Sequence, residues 1–117
     1  MHISIIGVGA MGGAMLEGFL RSDSFSASDI SISNPHTDRL APYSEQGVQV
    51  YADNRKAAAW GDVVFLVVKP WLVESVMEEI SDVLDAGRQV LVIVAAGLKA
   101  EQVRSWVEYN GKCPATF

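Results

Sequence analysis

The sequence predicts an α/β protein: one doubly wound parallel sheet of five strands in the order 3-2-1-4-5, clothed by helices in three layers. Three observations carry this. Short apolar runs alternate with amphipathic segments along the 117 residues. Two runs, Asp62 to Val68 and Gln89 to Ala95, are apolar on both faces, as central parallel strands are. The first apolar run leads directly into a glycine-rich turn.

His2 to Ile6 reads as the first strand. Met11, Met15, Gly18 and Phe19 follow helical spacing, so a helix is expected over 10–21. Ser22 to Ser28 reads as a polar loop and Asp29 to Ser33 as the second strand. Thr37 or Asp38 is placed to cap a short helix running to Gln46, which Gly47 stops. Val48 to Tyr51 makes a third strand. Asp53 or Asn54 caps the next helix, through Trp60. After the fourth strand, Pro70 suits a first helical turn. The helix over 71–85 has an apolar face of Val73, Val76, Met77, Ile80, Val83 and Leu84. Its acidic residues Glu74, Glu78, Glu79, Asp82 and Asp85 are expected in solvent. Gln89 to Ala95 is the fifth strand, Glu101 to Val107 a weaker helix, and Asn110-Gly111 a turn.

Gly7-Val8-Gly9-Ala10-Met11-Gly12 is G-x-G-x-x-G, with a strand before it and a helix after it. In that context each glycine has a physical use. Gly7 permits a tight turn off the strand, Gly9 lets a pyrophosphate approach the backbone, and Gly12 lets the helix pack closely. The helix start adds free N–H groups and a partial positive charge. A glycine turn used only for packing is the plainer alternative. Gly13 is assigned no role beyond structure.

A carboxylate at the end of the second strand would hydrogen-bond the ribose 2′-hydroxyl of NAD. Here the chain reads Ser33-Asn34-Pro35-His36-Thr37 instead. Ser33, Asn34 and Thr37 offer hydrogen-bond donors and Arg39 a positive charge, which favours NADP(H) over NAD(H). His36 reads as a solvated loop histidine. The fourth strand ends in Val68-Lys69-Pro70 and the fifth in Ala95-Ala96-Gly97. Ligands of open α/β sheets bind at such carboxyl ends, and small residues there admit a nicotinamide ribose. Lys69 either reaches a phosphate, ribose hydroxyl or carboxylate, or is a surface lysine beside a turn.

Nine basic and fourteen acidic residues leave a formal charge of −5, which argues against nucleic-acid and anionic-membrane partners. It does not argue against a nucleotide held by backbone N–H groups. The lone cysteine, Cys113, excludes an intrachain disulfide and a cysteine zinc cluster, so no metal is expected. A reducing, cytoplasmic location is expected. The N-terminus does not read as a signal peptide, and no apolar run is long enough to span a bilayer. His2 is expected exposed. Trp60 and Trp106 are expected to pack on helices and not to stack on a cofactor.

Taken together, Ile6 to Gly12, Asp62 to Pro70 and Ala95 to Gly97 resemble pyrroline-5-carboxylate reductase, over essentially the whole chain. The Val-Lys-Pro and Ala-Ala-Gly turns at this separation are more specific than the glycine loop. The resemblance implies a Rossmann-type NADP(H)-binding domain over 1–117, with Gly7, Gly9, Ala10, Met11 and Gly12 at the pyrophosphate. It implies Ser33, Asn34 and Asn54 at the adenosine end, and Val68, Lys69, Pro70, Ala95, Ala96 and Gly97 on the nicotinamide side. It further implies hydride transfer from NADPH to the C=N carbon of 1-pyrroline-5-carboxylate, giving proline, with no catalytic side chain identified in this stretch. The partners implied are a small imine or amino-acid substrate and a homodimer or higher homo-oligomer. The family continues beyond such a domain with a helical dimerisation and substrate domain, so this chain is expected to be the N-terminal part of a longer enzyme, inactive alone. Ala10, Trp71 and Lys99 depart from the family pattern, which leaves room for a reductase-like relative with another substrate. β-Hydroxyacid dehydrogenases, deazaflavin-dependent NADP oxidoreductases and a non-catalytic nucleotide-sensing module are the alternatives.

Overall fold

The computed structural model describes residues 1–34, 40–85, 87–94 and 115–116. The chain runs β1 (Ile3–Ile6), α1 (Ala10–Arg21), a 3-10 turn (Ala27–Asp29), β2 (Ile30–Ser33), α2 (Ala41–Glu45), β3 (Gln49–Tyr51), α3 (Asn54–Trp60), β4 (Val63–Leu66), α4 (Pro70–Ile80), β5 (Val90–Ile93) and β6 (Ala115–Thr116). All strand pairs are parallel and the order is β3-β2-β1-β4-β5-β6. The predicted 3-2-1-4-5 core is therefore present, with a two-residue sixth strand beside β5.

Strand alternation divides the apolar side chains between two cores. On one face Ile6, Val64, Leu66, Leu91 and Ile93 meet Ala57 and Ala58 of α3 and Val73, Met77 and Ile80 of α4. On the other, Ile3, Ile5, Ile30 and Ile32 meet Leu16 of α1, with Leu40 and Val48. Phe65 of β4 adds a ring contact to Phe19 of α1, centroids 5.6 Å apart. These are the three expected layers.

Several boundaries and faces differ from the sequence reading. The α1 stripe is one residue out of phase: Leu16 is fully buried, Met15, Phe19 and Leu20 pack beside it, and Met11 and Gly18 are exposed. Three glycines, Gly12, Gly13 and Gly18, blur the helical phase, because glycine carries no side chain to mark a face. Helix α2 spans Ala41–Glu45, a single turn with Pro42 in its first turn, and the reading of Thr37 or Asp38 as its cap lies outside the described residues. The Gly47 stop holds, at φ +102°. Of the two candidate caps for α3, Asp53 serves: its carboxylate accepts from the Arg55 N–H at 2.9 Å. Helix α4 ends at Ile80, although Leu84 remains buried. Asp82 is not merely solvated, because it pairs with Arg55 at 2.7 Å. Gln89 lies outside β5, buried, as a polar anchor and not a strand residue. The readings on Pro35 to Arg39, Ala95 to Gly97, Lys99, the Glu101 to Val107 helix with Trp106, the Asn110-Gly111 turn and Cys113 fall outside the described residues. No helix among the described residues is long and apolar enough to cross a membrane.

Two polar anchors fix α3 on the sheet. Buried Ser4 donates from Oγ to the Ala57 carbonyl at 2.6 Å, which leaves Ser31 to donate to Ser4 at 2.8 Å. Gly61 is glycine because a Cβ there would run into the Ser4 side chain. At the helix end, where backbone carbonyls lack intrahelical partners, Gln89 Nε2 donates to the Ala58 and Gly61 carbonyls at 2.6 Å each. Arg88 Nη2 donates to the Ala59 carbonyl at 2.9 Å. The short α3 is thus held at its C-terminal end by side chains from the segment leading into β5.

Candidate functional site

The carboxyl ends of the strands stand level, because register pairs Ser33 with both Ile6 and Tyr51, and Leu66 with both Ile6 and Ile93. Backbone bonds carry the ladder one step further. Gly7 N–H donates to the Ser33 carbonyl (2.9 Å), Val67 N–H to Ile6 (2.8 Å), Val94 N–H to Leu66 (2.9 Å) and Asn34 N–H to Tyr51 (3.3 Å). From this edge β1 crosses through α1 to β2 on one side, and β4 crosses through α4 to β5 on the other. The turns after β1 and β4 therefore meet at the point where the winding reverses, which is where open α/β sheets bind ligands.

The three glycines of the loop are required for different reasons. Gly7 has φ +95°, and a Cβ on it would strike the Val67 carbonyl and come within 2.9 Å of the Val68 side chain. Gly12 is buried, and a Cβ there would collide with the Gly7 carbonyl. Gly9 is exposed, has ordinary φ −93°, and a Cβ on it would meet nothing within 4 Å. The fold needs Gly7 and Gly12 and makes no demand on Gly9. Gly9 is also the N-cap of α1, and no side-chain cap takes up the first-turn N–H groups. No acidic residue lies in that turn to compete with an anion. Gly13 and Gly18 likewise have open space where a Cβ would stand, so packing does not account for them.

Ser33 and Asn54 are brought together. Ser33 is fully buried at the end of β2, and its hydroxyl donates to Asn54 Oδ1 at the first residue of α3. The sequence reading had offered the Ser33 hydroxyl to a ligand; in the structure its proton is committed to Asn54. Asn34 is half-buried beside this pair. On the β4 side, Lys69 is exposed as the N-cap of α4, Pro70 opens the helix, and Val68 is half-buried. Met11, Trp71 and Leu72, on the first turns of α1 and α4, are exposed at 58%, 76% and 43%. Apolar surface thus flanks the edge, a feature that only the bulk of Trp71 signalled in the sequence. Trp60, by contrast, stacks on exposed His2 at 4.2 Å, at the opposite end of the sheet. No group of three His, Cys, Asp or Glu among the described residues could hold a metal ion.

A parallel sheet with a G-x-G-x-x-G turn at its winding reversal defines a dinucleotide-binding domain of the Rossmann type. Comparison with known proteins narrows this. A family model described as NADP oxidoreductase, coenzyme F420-dependent, matches residues 2–104, and the chain belongs to that family. It is 32% identical over 98 residues to pyrroline-5-carboxylate reductase 3 of Danio rerio, covering 84% of this chain and 34% of that protein. It is 31% identical over 107 residues to pyrroline-5-carboxylate reductase of Pseudomonas aeruginosa, covering 91% of this chain and 38% of that one. Among solved structures, a pyrroline-5-carboxylate reductase from Coxiella burnetii superposes with TM-score 0.81 at 30% identity, over 91% of this chain and 39% of that chain. An imine reductase from Myxococcus stipitatus in complex with NADP+ shares the fold at TM-score 0.80 and 20% identity, over 97% of this chain and 39% of that one. The chain spans little more than a third of the length of these relatives. The matches agree with the resemblance carried by the Val-Lys-Pro and Ala-Ala-Gly turns.

Proposed function

We propose that the chain binds NADP(H) along the carboxyl edge of its sheet and serves as the cofactor domain of a reductase acting on a C=N bond, with 1-pyrroline-5-carboxylate as the favoured substrate and proline as product. The observation that carries the binding half is Gly9, a glycine without a structural reason, set on open space at the start of α1. A pyrophosphate there accepts hydrogen bonds from the first-turn amides. The 2′-phosphate end lies toward Asn34 and Asn54, and β2 itself ends in Ser33, followed by Asn34, not in a carboxylate. Val68 and Pro70 wall the nicotinamide side, and Lys69 supplies a mobile positive charge beside it. By resemblance, Ala95, Ala96 and Gly97 complete that side.

When bound, the nicotinamide supplies the hydride. The residues of this chain orient it and hold its phosphates; no His, Asp or Glu is among the described residues at the ends of β4 and β5 to exchange a proton. Substrate residues belong, on this reading, to the part of the relatives that this chain does not span. Their homo-oligomer and a cytoplasmic setting belong to the same proposal. The family description favours one second reading, in which the hydride partner is the deazaflavin coenzyme F420.

The first test is a titration of the chain with NADPH and with NADH, followed by nicotinamide fluorescence. Tighter binding of NADPH is the expected result. Preference for NADH overturns the reading of the β2 end, and no binding of either overturns the cofactor role of this chain alone. An assay of the longer protein with 1-pyrroline-5-carboxylate and with reduced F420 then separates the two readings of its partner.

A further inference from the structure

We propose that Met11 is an oxidation site through which peroxide lowers the affinity of the glycine loop for its dinucleotide. The inference rests on the reading of this loop as an NADP(H) site. The chain has four methionines, and they lie at unequal depth. Met77 is buried in the core under α4, at 2% exposure, and Met15 is half-buried against the core under α1. Met1 is exposed at the amino edge, where its neighbour His2 is bonded to Asp62. Met11 is 58% exposed in the first turn of α1. Of the four, Met11 alone is both open to an oxidant in solution and beside the cofactor edge.

Met11 is the second residue of α1, after the N-cap Gly9 and Ala10. Helical side chains lean toward the helix N-terminus and cover the turn that precedes them. The thioether is therefore carried toward the open space at Gly9, where no side chain caps the helix and no acidic residue lies in the first turn. A thioether sulfur is a weak acceptor, so it leaves the first-turn amides to an anion. Oxidation by hydrogen peroxide changes this. The sulfur lone pair attacks one peroxide oxygen, the O–O bond breaks, and the other oxygen leaves as water. Sulfur loses two electrons, peroxide gains them, and the side chain becomes a polar sulfoxide. Its oxygen is drawn to the positive end of α1. There it competes with the pyrophosphate for the same N–H groups and turns its own negative charge toward the phosphate oxygens. The change is reversible, because methionine sulfoxide reductases restore the thioether.

The test is run on the Cys113→Ser chain, which removes the lone thiol that would compete for peroxide. Dilute hydrogen peroxide is applied and then destroyed with catalase. Sulfoxides are located by peptide mass spectrometry, and NADPH affinity is followed by nicotinamide fluorescence. Met1 and Met11 should oxidise well before Met77. As Met11 converts, NADPH affinity should fall about tenfold, the size of one hydrogen bond lost by a charged group. Tm should not change, because Met11 has no part in the core. Methionine sulfoxide reductases of both epimer specificities, with dithiothreitol, should restore the affinity. Met11→Leu should have the same affinity before and after peroxide, although its Met1 still oxidises. Saturating NADP+ should slow the oxidation of Met11 and leave that of Met1 unchanged. Affinity that survives full conversion of Met11, that falls equally in Met11→Leu, or that is lost only together with folded structure overturns the proposal while the nucleotide site stands. So does Met11 oxidation that NADP+ does not slow. If the untreated chain binds no NADPH, the cofactor reading falls and the proposal with it.

Discussion

Gly7, Gly9 and Gly12 look alike in the sequence and differ in what they do. At Gly7 an alanine meets a left-handed φ and the Val67 carbonyl together. At Gly9 it meets neither. Gly9→Ala is therefore expected to leave the thermal midpoint within about 2 °C while weakening NADPH binding at least tenfold, because the methyl occupies the space into which the pyrophosphate moves. Gly7→Ala should instead cost roughly 2 kcal/mol or more of folding stability in chemical denaturation. If Gly9→Ala bound NADPH normally, the assignment of the loop would be wrong. The glycine spacing was legible in the sequence because it is a pattern of absent side chains. The Ser33–Asn54 pair was not, although both residues were singled out, because the bond joins positions 21 residues apart and depends on how α3 docks beside β2.

The elements that were easiest to read have patterns longer than their neighbours' influence. The predicted range of α1 matches Ala10–Arg21, and all five core strands appear within two residues of expectation at each end. The errors sit where tertiary contacts override local pattern. Helix α4 stops at Ile80 while its apolar periodicity runs on, because Val83 and Leu84 bury themselves from a turn. Gln89 was read as a strand residue because its apolar neighbours dominate, yet it works as a remote cap for α3. Its side chain takes two carbonyls and accepts the Asp85 N–H at 2.8 Å. Gln89→Leu, similar in size, leaves those buried groups unpaired and is expected to cost about 2–4 kcal/mol in urea unfolding. A cost under about 0.5 kcal/mol would show that α3 does not depend on this anchor.

Across the whole molecule, the two edges of the sheet have separate duties. The carboxyl edge carries the loop glycines, Asn34, Asn54 and Lys69. The amino edge is tied shut around Asp62. Its carboxylate accepts from the His2 N–H at 2.8 Å and from Arg88 at 2.9 Å, while its carbonyl accepts from Val90 N–H at 3.0 Å. First the His2 backbone bond and then Arg88 hold the Asp62 carboxyl below the usual aspartate range. A carboxyl lowered in the folded state stabilises above its unfolded value, near pH 4, and loses that contribution as pH falls through the folded one. Thermal midpoints of Asp62→Asn and wild type measured from pH 7 to pH 2 should therefore converge below about pH 4. A constant gap across the whole range would sink this account. Because the two edges share strands and no side chains, weakening the amino edge should leave nucleotide affinity unchanged.

Gly9 also bears on descent. Selection for folding preserves Gly7 and Gly12 and is blind to Gly9. In a lineage that keeps this domain as a scaffold after its chemistry is lost, Gly9 is the letter of the motif free to drift, while its two neighbours persist. A lone substitution at that position in a related sequence would mark a retired cofactor site inside an intact fold.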